Sequence, residues 1–231
     1  MKLTNLAILL SLSVAASNSR ANLLTNGSFE SGTFVQNNSY FTDRMDLAYN
    51  STAITGWVAG VSSGDFAYLW WMRGPSFNAE NGNAFVDLDS NGNTPYSYIQ
   101  QTVNTVIGKQ YTVSGFFGSE FNGGVATTLV EINGNKIGTV NTGSATSASS
   151  TFGTNIVWTP EQFTFTASST STTLRFQDAT VLGANGYDNP LIDNVSVNEV
   201  VPEGCPTSLI FSLALGGLAS FGYRQRMAPI C

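Results

Sequence analysis

The 231-residue sequence predicts an all-β fold, a β-sandwich of the jelly-roll type. Short segments of alternating or β-branched residues recur between clusters of Gly, Asn and Ser. No run with helical periodicity lies between residues 22 and 200. Many short antiparallel strands joined by polar turns pack as two sheets, and this length suffices for one well-filled domain. We therefore expect one jelly-roll domain over residues 22–200.

Eight segments within this domain have the pattern of strands: 84–88, 98–103, 110–116, 128–132, 136–140, 162–166, 173–176 and 191–197. The sequence Asn133-Gly134-Asn135 predicts a hairpin between two of them, because Asn and Gly accept positive φ at little cost. Trp57 and Trp158 are expected in the core. The small, polar stretch 142–150 is expected to form a loop.

Residues 1–21 have the order of a secretory signal peptide. The charged start Met1-Lys2 precedes an apolar stretch at 6–14, and small residues follow up to Ala21. Cleavage after Ala21 is the first expectation, and cleavage after Ser17 is the alternative. The protein is therefore expected to be exported to the cell surface or the extracellular space.

Residues 201–231 have the layout of a sorting tail: Val201, Pro202 and Glu203 precede an apolar run at 209–221, and the basic residues Arg224 and Arg226 follow. This run is shorter than the roughly 20 residues that span a bilayer, which favours a processed tail over the alternative, a membrane tail anchor. The layout resembles the PEP-CTERM signal of Gram-negative bacteria, although Gly204 replaces the usual second Pro and residues 227–231 extend it. That resemblance implies transient membrane contact and processing by an exosortase-type protease.

The composition excludes several classes of function. The sequence has no His, so it contains no Ser-His-Asp or Cys-His pair and no His-liganded metal site. Five Lys and Arg residues stand against 14 Asp and Glu residues over 22–200, which argues against nucleic acid as a partner. Both cysteines, Cys205 and Cys231, lie in the tail. A glycan hydrolase that uses two carboxylates remains a less favoured hypothesis.

A series of short motifs resembles a known family. The series is 22–30, Gly56-Trp57, 83–89, 99–103, 108–113, Trp158, 163–167, 173–176 and 191–197. In this order it resembles the choice-of-anchor C family of exported bacterial proteins and, through it, the galactose-binding-like jelly rolls. Relatives of that shape include plant cell-wall proteins and several carbohydrate-binding modules. The resemblance implies a non-catalytic role at the cell surface or in an extracellular matrix of biofilm or exopolysaccharide.

The same resemblance implies a structural Ca²⁺ site. In similar jelly rolls the opening Asn-Gly-x-Phe-Glu motif and an Asp of the last strand meet around the ion. The matching residues are Glu30 and Asp193, with main-chain carbonyls near Asn26 and Ser28. Ca²⁺ takes six to eight oxygen ligands, which an acidic chain without His can supply. The alternative is that Glu30 caps a turn and Asp193 is a solvated strand residue.

Aromatic side chains suggest a second hypothesis, carbohydrate binding. Trp70 and Trp71 are adjacent and cannot both face inward from one strand, so we expect one of them at the surface, where an indole can stack on a sugar ring. Arg73, Tyr96 and Tyr98 are candidate hydrogen-bonding partners for the same ligand. The alternatives are a protein contact and coverage by the long loop over residues 34–50.

Overall fold

A computed structural model of the chain describes residues 21–37, 43–60, 69–75, 77–88, 97–119, 125–143, 156–180 and 189–201. These residues form eleven strands and no helix, which confirms the predicted all-β class. The strands are β1 (Arg44–Leu47), β2 (Val58–Gly60), β3 (Leu69–Arg73), β4 (Ala84–Asp87), β5 (Tyr98–Asn104), β6 (Gln110–Ser119), β7 (Val125–Ile132), β8 (Asn135–Gly143), β9 (Thr159–Thr166), β10 (Ser171–Asp178) and β11 (Pro190–Glu199). Within the described ranges, no helix is long and apolar enough to cross a bilayer.

The strands form two antiparallel sheets with jelly-roll topology. The six-stranded sheet has the order β1-β3-β4-β11-β6-β9, and the five-stranded sheet has the order β2-β5-β10-β7-β8. From β4 onward the chain crosses between the sheets, so that β4-β11-β6-β9 faces β5-β10-β7-β8. The predicted fold is confirmed, and the last strand, β11, lies in the middle of its sheet.

Alternation along the strands fills the space between the sheets with apolar side chains. Trp57, Trp71, Phe117 and Phe176 are almost completely buried there. A buried indole N–H needs an acceptor, and Trp57 donates its Nε1–H to the carbonyl oxygen of Asn26 at 2.9 Å. The expectation that Trp57 belongs to the core is therefore confirmed.

The hairpin between β7 and β8 follows from local sequence. Asn133 (φ 50°) and Gly134 (φ 77°) form a two-residue loop in which both residues have positive φ. This is the type I′ geometry, whose twist matches the flanking strands. The predicted Asn-Gly hairpin is confirmed.

The side chains of strand β3 alternate between the two faces of the sheet, but its sequence does not alternate between apolar and polar residues. Trp71 faces the core between the sheets, while Met72 is buried on the opposite, outer face. Alternation disappears when both faces of a strand are covered. Trp158 lies on the same outer face, half-buried, with its ring centroid 5.7 Å from that of Phe85. It therefore belongs to a second apolar cluster and not to the expected central core.

Several predicted features lie outside the described residues. These are the signal peptide up to residue 20 and the tail from residue 202 onward, which includes Pro202, Glu203, Arg224 and Arg226. Val201, the first residue of the predicted sorting motif, is described and exposed. Export, tail processing and the choice-of-anchor C resemblance stay predictions.

Candidate functional site

The adjacent tryptophans of β3 point in opposite directions. Trp71 is fully buried between the sheets and donates its Nε1–H to the carbonyl oxygen of Phe29 at 3.0 Å. Trp70 is half-buried on the outer face of the six-stranded sheet, with the guanidinium carbon of Arg44 at 3.5 Å from its ring centroid. As expected, one of the two indoles faces the core and the other faces outward. Trp71 is nevertheless too deep to contact a ligand, which corrects its assignment as a binding residue.

Of the other aromatic-site candidates that the structure describes, Arg73 lies beside Trp71 but Tyr98 lies on the other sheet. Arg73 lies on β3, with its guanidinium carbon 5.5 Å from the Trp71 ring centroid. Tyr98 lies on β5 in the other sheet. Tyr96 falls outside the described residues. Trp70 and Tyr98 therefore belong to different faces of the sandwich and cannot form one site.

The outer side of the five-stranded sheet presents mostly polar side chains, and we call it the polar face. Its alternate residues Ile99, Val130 and Phe176 are buried in the core, so their neighbours along each strand point outward. The polar face comprises Tyr98, Gln100 and Thr102 of β5, Thr173, Arg175 and Gln177 of β10, and Thr127, Leu129 and Glu131 of β7.

Arg175 is at the centre of the polar face. It pairs directly with Gln100 on one neighbouring strand and with Glu131 on the other. Its Nε and Nη2 donate to Oε1 of Gln100 at 3.2 and 3.0 Å. Its Nη1 lies 3.7 Å from a carboxylate oxygen of Glu131, and the side chains of Arg175 and Glu131 are 30% and 14% exposed. The guanidinium plane is thus held at the surface in one orientation.

Tyr98 supports this guanidinium from one side. The guanidinium carbon of Arg175 lies 4.0 Å from the Tyr98 ring centroid, within the range of a cation–π contact. Gly60 on β2 pairs directly with Tyr98, and a Cβ at Gly60 would overlap the Tyr98 ring. The ring therefore occupies the volume that any other residue at position 60 would fill.

Of the polar face, the sequence prediction included only Tyr98. The signal for the other members was present, because Gln100, Glu131 and Arg175 occupy outward positions of predicted strands. Whether these residues lie next to one another depends on the strand register. The register places Gln100 beside Arg175 although they are 75 residues apart in sequence.

The carboxylate of Asp193 holds the loop between β3 and β4. Asp193 is completely buried. Its Oδ2 accepts hydrogen bonds from the main-chain N–H groups of Glu80 and Asn81, both at 2.9 Å, and its Oδ1 accepts one from Asn194 at 2.6 Å. Burial raises the pKa of Asp193 to about 7; the backbone hydrogen bonds oppose this shift and the negative charge of Glu80 adds to it.

Glu30 holds the end of the same loop. Its Oε1 accepts hydrogen bonds from the main-chain N–H groups of Asn83 and Ala84, both at 2.7 Å. Between the two anchoring points, Gly82 has φ 72°, and a Cβ there would overlap the Glu30 carboxylate. We call Glu30 and Asp193 the carboxylate clamp. The structure brings these two predicted metal ligands to one loop.

The carboxylate clamp meets some, but not all, of the requirements for binding a cation that prefers oxygen ligands, such as Ca²⁺. A buried carboxylate with a raised pKa beside Glu80 is a position that a cation would stabilise. The carbonyl oxygen of Asn26, however, already accepts hydrogen bonds from Trp57 Nε1 and Phe29 N, so it does not fit as a ligand. Ser28 is half-buried. In the described part of the chain, no group of three or more His, Cys, Asp or Glu residues has metal-binding geometry.

Several known proteins are similar to this chain in sequence or in structure. The chain is 34% identical over 181 residues to halomucin of Haloquadratum walsbyi, covering 77% of this chain and 2% of that protein. The adhesin domain K1 of Lys-gingipain from Porphyromonas gingivalis W83 has a TM-score of 0.51 at 12% identity, covering 68% of this chain and 99% of that one. A family 35 carbohydrate-binding module from Clostridium thermocellum has a TM-score of 0.44 at 12% identity, covering 69% and 100%.

A family model also matches most of the chain. It is described as a protein of unknown function, DUF642, and its match runs from residue 22 to residue 198. The matched region coincides with the jelly roll and includes both the carboxylate clamp and the polar face. This protein therefore belongs to the DUF642 family.

Proposed function

We propose that this domain binds a polysaccharide on the polar face, without catalysis, outside the cell. The observation that carries the proposal is the Arg175 guanidinium, stacked on Tyr98 and oriented by Gln100 and Glu131. A planar donor fixed at the surface recognises pairs of hydroxyl groups without further ordering, so little side-chain entropy is lost on binding.

The composition of the polar face suits a neutral sugar chain. The Arg175 charge is offset by Glu131, so the centre of the face has no net charge. Amide, hydroxyl and carboxylate groups surround it, as in the 2.8 Å contact between the hydroxyls of Thr102 and Thr173. Strands are about 4.8 Å apart, so Gln100, Arg175 and Glu131 form a row of about 10 Å on the outer face of the sheet. An extended chain fits such a surface better than a small ligand does.

The first test is a pull-down against insoluble polysaccharides followed by calorimetry with the soluble form of any that binds. Arg175→Ala is expected to weaken binding more than tenfold. Arg73→Ala is the matched control, because it removes another arginine beside an aromatic ring on the other sheet and should leave affinity unchanged. If wild-type protein binds no polysaccharide, or if both variants bind equally well, the proposal is wrong.

A second variant disturbs the site without removing any polar group. Gly60→Ala places a Cβ where the Tyr98 ring lies, so the ring and its stacked guanidinium must move. Binding is expected to weaken several-fold while circular dichroism retains the β-sheet spectrum. Unchanged affinity in this variant would mean that Tyr98 does not position Arg175 for the ligand.

Absence of catalysis is tested separately. Reducing ends should not accumulate when the protein is incubated with a polysaccharide that it binds. A rise in reducing ends that depends on the protein would favour the carboxylate-based glycan hydrolase instead.

A structural Ca²⁺ at Glu30 and Asp193 is part of the proposal. A cation there would compensate the buried negative charge of Asp193 and hold the opening segment and β11 on one loop. The expected result is Ca²⁺ binding by calorimetry and a lower melting temperature in EDTA. No heat of binding together with an unchanged melting temperature would eliminate the site.

Export and tail processing complete the proposal. Mass spectrometry of protein recovered from a Gram-negative host that carries an exosortase-type protease should give a chain that starts at Asn22 and ends near residue 201. An intact mass for all 231 residues would contradict this.

A further inference from the structure

The opposite side of the sandwich carries a groove that none of the predicted sites uses. It has a volume of about 570 Å³ and lies on the outer face of the six-stranded sheet, over β6, β9 and β11. Its lining includes Ser114, Phe116, Pro160, Glu161, Gln162 and Asn194. We call it the β9 groove.

A β-bulge forms the groove wall on β11. Asp193 pairs with Phe116 and Ser196 pairs with Ser114, so three steps along β11 match two steps along β6. The extra residue is Asn194, which has φ 46°, an uncommon conformation for a residue other than Gly. Bulges of this kind redirect a side chain at a sheet surface. Here the bulge places Asn194 in the lining of the groove.

The Asn194 side chain is held in place by the loop on the carboxylate clamp. Its Nδ2 donates to Oε2 of Glu80 at 2.7 Å, and the Glu80 main-chain N–H is bound by Asp193 at 2.9 Å. With Nδ2 donating to Glu80, the amide orientation is set, so its carbonyl oxygen is a fixed acceptor for a ligand. The groove wall is therefore preorganised by the same clamp that holds the loop.

The chemistry of the lining resembles that of the polar face. Phe116 pairs directly with Pro160, and these two residues supply apolar surface. Gln162, Asn194 and Ser114 add two amides and a hydroxyl, because the side chains of Gln162 and its pairing partner Ser114 face the outer side of the sheet. None of the described residues that line the groove is Lys or Arg, so phosphate and sulfate groups are disfavoured. Apolar surface flanked by acceptors and donors suits the ring and hydroxyl groups of a neutral sugar.

We propose that the β9 groove is a second sugar-binding site and that the domain thereby cross-links two polysaccharide chains. The groove and the polar face lie on opposite outer sides of the sandwich, so one straight chain cannot occupy both. Simultaneous occupation links two chains and gives avidity on a polymer. The inference rests on the proposed function for the class of ligand, but the two sites depend on different residues.

The test is a calorimetric titration of the full jelly-roll domain with xylohexaose, cellohexaose and galactohexaose. It measures how many molecules of each oligosaccharide bind per protein chain. Wild-type protein is expected to bind two molecules of the preferred oligosaccharide per chain. Gln162→Ala, at an exposed position of β9, should lower this number to one, as should Arg175→Ala. Thr164→Ala, exposed on the same strand, is the matched control and should retain two.

The outcomes separate the two proposals. One site in the wild type that disappears in Arg175→Ala overturns the β9 groove and leaves the proposed function intact. One site that disappears only in Gln162→Ala assigns binding to the groove and overturns the role of the polar face. No binding of any oligosaccharide or polysaccharide overturns both. Because a domain with two sites cross-links chains, a soluble polysaccharide should become turbid when equimolar protein is added. A solution that stays clear would overturn cross-linking.

Discussion

The outer faces of the two sheets differ in what covers them. On the six-stranded sheet, Met72, Phe85 and Leu191 are buried beneath residues 77–79 and 156–158. On the five-stranded sheet, the side chains of the polar face are mostly half-buried, and among the described residues no second apolar cluster covers them. A sandwich needs only its inner faces covered for a hydrophobic core. The apolar cluster on the outer face of the six-stranded sheet therefore adds to the stability that the central core supplies.

The loop between β3 and β4 covers this outer face, and polar contacts fix its conformation. Asn78 donates its Nδ2–H to the carbonyl oxygen of Ile156 at 3.1 Å, and its own carbonyl oxygen accepts from Trp158 Nε1 at 2.7 Å. Two or three residues further along the chain, the carboxylate clamp begins. The predicted metal ligands Glu30 and Asp193 thus anchor the loop whose residues Phe77 and Ala79 pack on the second apolar cluster.

The largest expected effect is at the centre of this cluster. Phe85→Ala should lower the free energy of unfolding by about 3–5 kcal/mol, because Phe85 is fully buried against Phe77 and Trp158. Thr139→Ala, at an exposed position of β8 in the other sheet, should change it by less than about 0.5 kcal/mol. Urea unfolding measures both values. A cost below about 1 kcal/mol for Phe85→Ala would mean that the covering adds little stability.

The pH dependence of the clamp is the second prediction. The pKa of Asp193 is raised in the folded state, so the folded protein binds the proton more tightly than the unfolded chain. Asp193 therefore contributes stability that is present at about pH 4 and is lost as pH rises to about 7, by an amount on the order of a few kcal/mol. NMR titration of the Asp193 carboxyl should give a midpoint near 7.

Two changes sharpen this prediction. Glu80→Gln removes a neighbouring negative charge and should lower the midpoint of the Asp193 titration. Ca²⁺ should lower it as well, because the ion competes with the proton, so the stabilisation by Ca²⁺ should be larger at pH 8 than at pH 5. A midpoint close to 4 in the absence of Ca²⁺ would show that the carboxylate is not desolvated.

A matched pair of glycines gives the third prediction. Gly82 (φ 72°) and Gly134 (φ 77°) have similar backbones, but a Cβ at Gly82 meets the Glu30 carboxylate whereas one at Gly134 meets nothing within 4 Å. Gly134→Ala should cost about 1 kcal/mol for its backbone alone. Gly82→Ala should cost roughly 1–2 kcal/mol more, since the clamp must move. Equal costs in thermal unfolding would argue against a tight clamp.

The smallest effect is expected at Arg44, which covers Trp70 on the outer face. Arg44→Ala should lower stability by about 1 kcal/mol through the lost cation–π contact and the packing of its side chain. Tryptophan fluorescence should shift to the red as Trp70 gains contact with water. An unchanged spectrum would indicate that other groups cover this indole.

Local rules were sufficient for much of the fold. The eight predicted strands are all present, and the Asn133-Gly134 turn forms as expected, because alternation and positive φ are properties of neighbouring residues. Strand β3 was missed because both of its faces are covered. The sequence predicts a sugar-stacking indole at Trp70 or Trp71, but composition alone cannot distinguish a buried indole from an exposed one.

The sequence by itself determined the all-β class, the hairpin and the absence of histidine chemistry, all of which depend on residue type and short-range pattern. Only the tertiary structure decided which outer face is covered, which tryptophan is buried, and that Gln100, Glu131 and Arg175 share one row. The physical reason is that strand register and sheet order join residues far apart in sequence. A shift of one residue in register would turn every one of these side chains to the other face.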